Sequence, residues 1–198
     1  ILVAPATANT IGKMVHGIDD TPVTTFLTTG IGTGIPVLVV PAMHNTMYNH
    51  SGVQKNIEMA KEMGISFIQP LMEEKKAKMA SIHQVTEDVI RTLSGKKMDN
   101  KKILIVAGAT SEPIDDMRFI TNKASGRTGV HLAKEAYRNG GEVLLLAGSN
   151  MTDIPDHIST DRFSSTSDLV NRISLLTNDH GSFDIAIFVA GISDYKPE

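Results

Sequence analysis

The sequence predicts an α/β protein with two parallel sheets, and three observations carry that reading. Short apolar runs such as Ile65–Ile68 and Lys102–Ala107 are continuous rather than alternating, the pattern of strands covered on both faces. Longer amphipathic stretches such as Gly52–Met63 and Arg127–Asn139 read as helices. The two kinds of stretch alternate along the chain, as crossovers between parallel strands require.

The first half opens with an apolar strand at Ile1–Ala4, then a helix starting near Asn9, with Asn9 or Thr10 as its cap. A strand at Pro36–Val40, an amphipathic helix over about Gly52–Met63, a strand at Ile65–Ile68 and a helix from about Ile82 to Leu93 follow. Residues 94–100 are small, polar and aperiodic, and read as a linker between residues 1–93 and 101–198. The second half repeats the alternation: strand Lys102–Ala107, helix Arg127–Asn139, strand Glu142–Ala147, a short strand near Phe163, helix Ser167–Leu176 and strand Asp184–Ala190. Both halves therefore read as α/β, Rossmann-like or flavodoxin-like. Both ends read as cut, since Ile1 begins inside a strand and residues 195–198 follow a strand end, so neither domain is expected to be whole.

Composition narrows the function classes. The 198 residues are 41% hydrophobic and 21% charged, with a formal charge of −3 and no cysteine. Zero cysteine excludes disulfides, Cys-based zinc sites, iron–sulfur clusters and a thiolate nucleophile made by this chain. Slight acidity without a basic block argues against nucleic acid and anionic membrane as partners, and no apolar run approaches a membrane helix. A cytoplasmic location is the default expectation.

In open α/β sheets ligands bind beyond the carboxyl ends of strands, and four such places stand out. Residues Pro5–Thr10 follow the first strand with small and hydroxyl side chains that admit a planar ring or a phosphate to a helix N-terminus; a plain helix cap explains them as well. Residues Pro41–Tyr48 gather Met43, His44, Asn45, Met47 and Tyr48 in one turn, suited to a flat cofactor and a polar substrate, although a lone histidine is more often solvated or capping. The excursion Gly108–Gly129 is long for a strand-to-helix loop and carries Thr110, Ser111, Arg118, Asn122, Ser125 and Arg127 as phosphate donors, with Phe119 and Ile120 expected to pin it. Residues Ala190–Pro197 place a glycine and Asp194 after the last strand, where Asp194 could meet a base, a ribose or a metal, or merely form a turn.

The four segments together, in this order and spacing, resemble the bifunctional coenzyme A biosynthesis flavoproteins, in which a phosphopantothenoylcysteine decarboxylase is fused to a phosphopantothenate–cysteine ligase. Pro5–Thr10 is similar to that family's PASANT motif with Thr7 for serine, and Pro41–Tyr48 to its PxMNxxMW motif. Gly108–Gly129 resembles its GGTxEPID…RxIxNxSSGxxG segment, with Glu112, Pro113, Ile114 and Asp115 in place, and Ala190–Pro197 its AAVxDYRP segment. The resemblance implies FMN against Thr7, Ala8, Asn9, Thr10, Ala42 and Met43. In that family the flavin oxidises the cysteinyl thiol end of 4′-phosphopantothenoylcysteine to a thioaldehyde, carbon dioxide leaves, and the reduced flavin returns its electrons to give 4′-phosphopantetheine. For the ligase it implies that 4′-phosphopantothenate is activated by CTP with magnesium to an acyl-nucleotide, which the amine of cysteine displaces. Asn122 would steady the acyl-nucleotide, with Phe188, Val189, Ala190 and Asp194 at the nucleotide and Gly108, Ser125 and Gly126 bordering phosphates. It also implies a homo-oligomer with sites between subunits.

The sequence departs from the family pattern in three ways. The family's catalytic histidine would lie before Ile1. His44 stands where the PxMN asparagine belongs, with Asn45 beside it, so either could hold the substrate carboxylate. The substrate-clamping segment, here Glu73–Ala80, lacks the family's cysteine, leaving Lys78, His44 or water to donate its proton. Two alternatives are a flavin-binding regulatory subunit with an inactive decarboxylase site and a Rossmann-type NAD(P) oxidoreductase; the latter lacks GxGxxG after either opening strand.

Overall fold

The computed structural model describes residues 1–73, 76–179 and 181–196. The chain forms two compact units, Ile1–Thr92 and Leu93–Glu198, each an α/β fold around a parallel sheet.

The first unit runs β1 (Leu2–Ala6), α1 (Ala8–Val15), α2 (Pro22–Gly32), β2 (Leu38–Pro41), β3 (Met43–His44), α3 (Asn45–Tyr48), α4 (Ser51–Glu62), β4 (Ser66–Phe67), β5 (Leu71–Glu73), β6 (Lys76–Lys78) and α5 (Ile82–Leu93). Strands β1, β2 and β4 pair in parallel with β2 central, and β3, β6 and β5 form a separate antiparallel sheet. All four residues of β2 are buried, as a central strand requires. At β1, however, only Val3 and Ala6 are buried, while Ile1 and Leu2 are 39% and 46% exposed. The expectation of cover on both faces fails there because β1 is an edge of the described sheet.

Helix α2 has no counterpart in the sequence reading, because its threonines and glycines are weak helix formers. Its ends and one anchor hold it instead. Thr21 and Thr24 form a reciprocal capping box, Pro22 occupies the first turn, and Leu27 is fully buried in the same cluster as Val3, Ile11, Val39 and Ile57.

The second unit runs β7 (Lys102–Ala109), β8 (Ser111–Pro113), β9 (Phe119–Thr121), α6 (Arg127–Arg138), β10 (Glu142–Gly148), β11 (Ser159–Phe163), α7 (Thr166–Asp179) and β12 (Ile185–Gly191). Its sheet has the order β11-β10-β7-β12, with every pair parallel. The chain therefore leaves β7 in one direction for β10 and returns on its other side at β12, a switch point in the sense that locates ligands in such sheets. One apolar cluster joins Ile103, Ile105, Ala133 and Leu145, and another joins Leu104, Val106, Phe163 and Leu169. Gly129 sets how closely α6 approaches β7, since a Cβ there would lie 2.2 Å from the Cβ of Ala107. Residues 94–100 lie against this unit: the Met98 N–H donates to the Asn139 carbonyl at 2.9 Å, and Met98 packs on the first cluster.

Candidate functional site

In the first unit the segments leaving β1 and β2 run side by side, because the Ala42 N–H donates to the Ala6 carbonyl at 2.9 Å. This brings Thr7, Ala8, Asn9 and Thr10 to the same end of the sheet as Ala42 and Met43. The cap of α1 is Thr7 rather than Asn9 or Thr10, since the helix begins at Ala8: Thr7 Oγ1 accepts from the Thr10 N–H at 3.3 Å. The two hydroxyls lie 3.2 Å apart, and the first turn carries no acidic residue. Such a helix end favours an anion.

Residues Met43 and His44 leave the parallel sheet and pair with β6, Met43 opposite Ala77 and His44 opposite Lys76. Strand alternation then puts His44, Lys76 and Lys78 on one face of this small sheet. Asn45 begins α3, and its Oδ1 accepts from Asn49 Nδ2 at 3.0 Å. Met43 and Tyr48 pack on the unit's core, whereas His44 is exposed. Glu74 and Lys75 of the clamp-like segment, Pro197 of the last motif and Glu198 lie outside the described residues.

In the second unit the ends of β7 and β12 are tied together by polar groups. Thr110 is fully buried; its N–H donates to the Gly191 carbonyl at 3.1 Å, and its Oγ1 accepts from the Ser193 N–H at 2.9 Å. Thr121 Oγ1 donates to the Thr110 carbonyl at 2.7 Å, and Asn122 Nδ2 to the Ile192 carbonyl at 3.3 Å. Asn150 bridges the start of the loop to its far side, accepting from Ala109 N–H at 3.4 Å and donating to the Ala124 carbonyl at 3.1 Å. Gly108 (φ 94°) and Gly126 (φ 73°) adopt left-handed backbone, and a Cβ on either would meet the Met151 sulfur at 2.8 and 2.4 Å. Gly126 caps α6 without a side-chain bond, next to exposed Ser125 and Arg127, and again no acidic residue stands in the first turn.

Val189 and Ala190 pair with Ala107 and Gly108 at this end, while Phe188 lies opposite Val106, farther down the strand, and is 56% exposed. Asp194 is exposed and lines a cleft with Glu112 and Thr166. Phe119 and Ile120 do not pin the loop: they stand 61% and 46% exposed on the β8–β9 hairpin. The hydroxyl and amide bonds above, with Glu112, hold it instead. Arg118 is committed within the hairpin, its Nε donating to Asp115 Oδ2 at 2.7 Å. That guanidinium first, then the Met117 and Arg118 amides, hold the Asp115 carboxyl below its ordinary range.

Thr166 and Asn150 were not singled out by the sequence reading, and Glu112 was placed in the motif without a role. Glu112 is 1% exposed, and its Oε1 accepts from both the N–H and the Oγ1 of Thr166 at 2.7 Å each. Its place in the matched segment was the available signal. Among the described residues no group of three or more His, Asp or Glu could hold a metal ion, and no helix is long and apolar enough to cross a membrane.

Residues 1–94 match the family model described as Flavoprotein, and residues 98–198 the model described as DNA/pantothenate metabolism flavoprotein C-terminal domain. The chain is 42% identical over 197 residues to the coenzyme A biosynthesis bifunctional protein CoaBC of Thermococcus kodakarensis, covering 99% of this chain and 48% of that protein. It is 36% identical over 200 residues to the CoaBC protein of Methanocaldococcus jannaschii, covering 100% and 48%. A cysteine/cysteine sulfinic acid decarboxylase of an unknown prokaryotic organism is 36% identical over 214 residues, covering 99% and 56%. A crystal structure of the C-terminal domain of a CoaBC protein is 35% identical, covers 51% of this chain and 50% of that chain, and has a TM-score of 0.46. The chain thus spans about half the length of the curated relatives it matches. With its flavoprotein-like first part and a second part that fits the C-terminal model over more than half of its length, the chain belongs to the DNA/pantothenate metabolism flavoprotein family.

Proposed function

We propose that this chain carries parts of two coenzyme A biosynthesis activities: FMN-dependent decarboxylation of 4′-phosphopantothenoylcysteine in the first unit, and CTP-dependent joining of 4′-phosphopantothenate to cysteine in the second. The observation that carries this reading is the clustering of the four motif segments at strand ends, two in each unit, under the family models that match those units. FMN, when bound, would supply a two-electron acceptor for the cysteinyl thiol end, so that the oxidised substrate can take up the electrons the carboxylate leaves behind, and would return the two electrons afterwards. The residues fit it: small Ala8 and Ala42, the Thr7 and Thr10 hydroxyls, and a helix end without acidic neighbours suit a flat ring and a phosphate. His44, Asn45 and Lys78 are the candidates to hold the substrate carboxylate and supply a proton.

In the second unit Asn122 holds the acyl-nucleotide, its amide fixed by the Ile192 carbonyl. The opened N-terminus of α6 with Ser125 and Gly126 takes the phosphates. Val189, Ala190 and Asp194 border the nucleotide. Asp194 is the carboxylate that would meet a magnesium ion carried by the triphosphate. The exposure of Thr7, Asn9 and His44 suits a site completed by a second copy.

The full-length protein that carries this chain is expected to be yellow with FMN and to release pyrophosphate from CTP only when 4′-phosphopantothenate is present. Adding cysteine should then yield carbon dioxide. Asn122→Asp should lower the pyrophosphate rate by about two orders of magnitude, the usual loss of an oxyanion-type donor. A colourless full-length protein that makes no pyrophosphate overturns the reading. Because one relative is described as a cysteine/cysteine sulfinic acid decarboxylase, free cysteine belongs in the assay, and carbon dioxide from it alone would reassign the first unit.

A further inference from the structure

We infer that the cleft beside Glu112 binds an α-amino acid as its zwitterion, the buried carboxylate taking the ammonium and Lys196 the carboxylate. The cleft has a volume of about 450 Å3 and is lined by Glu112, Thr166, Asn171, Asp194, Tyr195 and Lys196 among others. A water takes about 30 Å3, so a small amino acid fits.

The argument begins with an imbalance in Glu112. One oxygen, Oε1, accepts two hydrogen bonds from Thr166. The other, Oε2, is buried with no hydrogen-bond partner among the described residues. A buried acceptor left bare is costly, and a carboxylate oxygen is satisfied best by a charged donor. Thr166 fixes the plane of the group, so the position of Oε2 is set through the two bonds to Oε1.

The surroundings select the class of donor. Asp194 adds a second carboxylate to the same cleft, which disfavours a simple anion, while Lys196 gives a carboxylate-bearing ligand a counter-charge. A divalent cation would ask for more oxygen ligands than the described residues assemble. A molecule with one ammonium and one carboxylate matches both signs. The identity of the amino acid as cysteine rests on the ligase reading above; the cleft's preference for a zwitterion does not.

The test titrates L-cysteine, cysteamine and N-acetyl-L-cysteine into the protein without nucleotide, read by calorimetry and by the Thr166 amide resonance. L-cysteine should bind and shift Thr166, cysteamine should bind more weakly, and N-acetyl-L-cysteine should not bind. Glu112→Gln keeps an acceptor for Thr166 but turns an NH2 toward the ligand, and should weaken L-cysteine at least about tenfold. Lys196→Met should bring L-cysteine down to the cysteamine level and leave cysteamine unchanged, so the outcome does not depend on Glu112→Gln folding. Absence of L-cysteine binding, equal binding of the N-acetyl compound, or a Lys196→Met variant that treats all three as the parent does overturns the inference. Pyrophosphate release needs no amino acid, so its absence condemns the ligase reading and leaves the cleft result standing.

Discussion

The two strand-end sites are built in opposite ways. In the second unit the loop after β7 is fastened by buried polar groups: Thr110 and Glu112 are 0% and 1% exposed and bond to β12 and α7. In the first unit one backbone bond, Ala42 to Ala6, aligns the two loops, and the side chains of Thr7, Asn9 and His44 stay exposed. The second site is therefore set before any ligand arrives, while the first leaves its walls to a ligand or to another chain. Preorganised donors suit charge that must be met without rearrangement; an open wall suits a large planar ligand that itself becomes part of the site.

That contrast can be broken by mutation. Thr110→Val removes the acceptor for the Ser193 N–H inside the structure, and should cost about 1–3 kcal/mol in urea unfolding. Thr7→Ala, the cap of α1, should cost about 1 kcal/mol because water replaces the lost acceptor. Equal losses would mean the first site is as rigid as the second. Gly129→Ala should destabilise by about 1–3 kcal/mol through collision with Ala107. Gly32→Ala, with nothing within 4 Å and no left-handed backbone, should stabilise by about 0.4–1 kcal/mol; a loss there would show the α2 end to be packed.

The smallest effect concerns acid. The Asp115 carboxyl is held below its ordinary 3.8, chiefly by Arg118. A depressed carboxyl adds stability that is complete above its unfolded value and disappears as pH falls through the folded one. The β8–β9 hairpin should accordingly loosen only below about pH 3.8, seen as faster amide exchange of Met117 and Arg118. Loosening already at pH 5 would mean that the ion pair is not what closes the turn.

Strands β7, β10 and β12 of the second unit were legible to within about two residues because a buried parallel strand leaves a continuous apolar run, as Lys102–Ala107 does within β7. Helix α2 was not, since its cap and Leu27 act where propensity argues the other way. Strands of two or three residues, such as β3, β6 and β8, have no period long enough to see. The strand-end segments were legible from the rule that ligands sit there. The pairing of Glu112 with Thr166 was not, because it joins residues 54 apart, and the loop's apolar pair was credited with anchoring that hydroxyls perform.

The loop between β7 and α6 also limits how the sequence can drift. The Met151 sulfur sits against both Gly108 and Gly126, so three positions spread over 44 residues share one small volume. A methyl group gained at Gly126 would find its closest atoms all in the Met151 side chain, whereas one at Gly108 would also meet the Gly148 backbone nitrogen at 2.9 Å, and both positions carry left-handed backbone. Drift at Gly126 therefore has a partner position in 151, and drift at Gly108 has none that a side chain can supply.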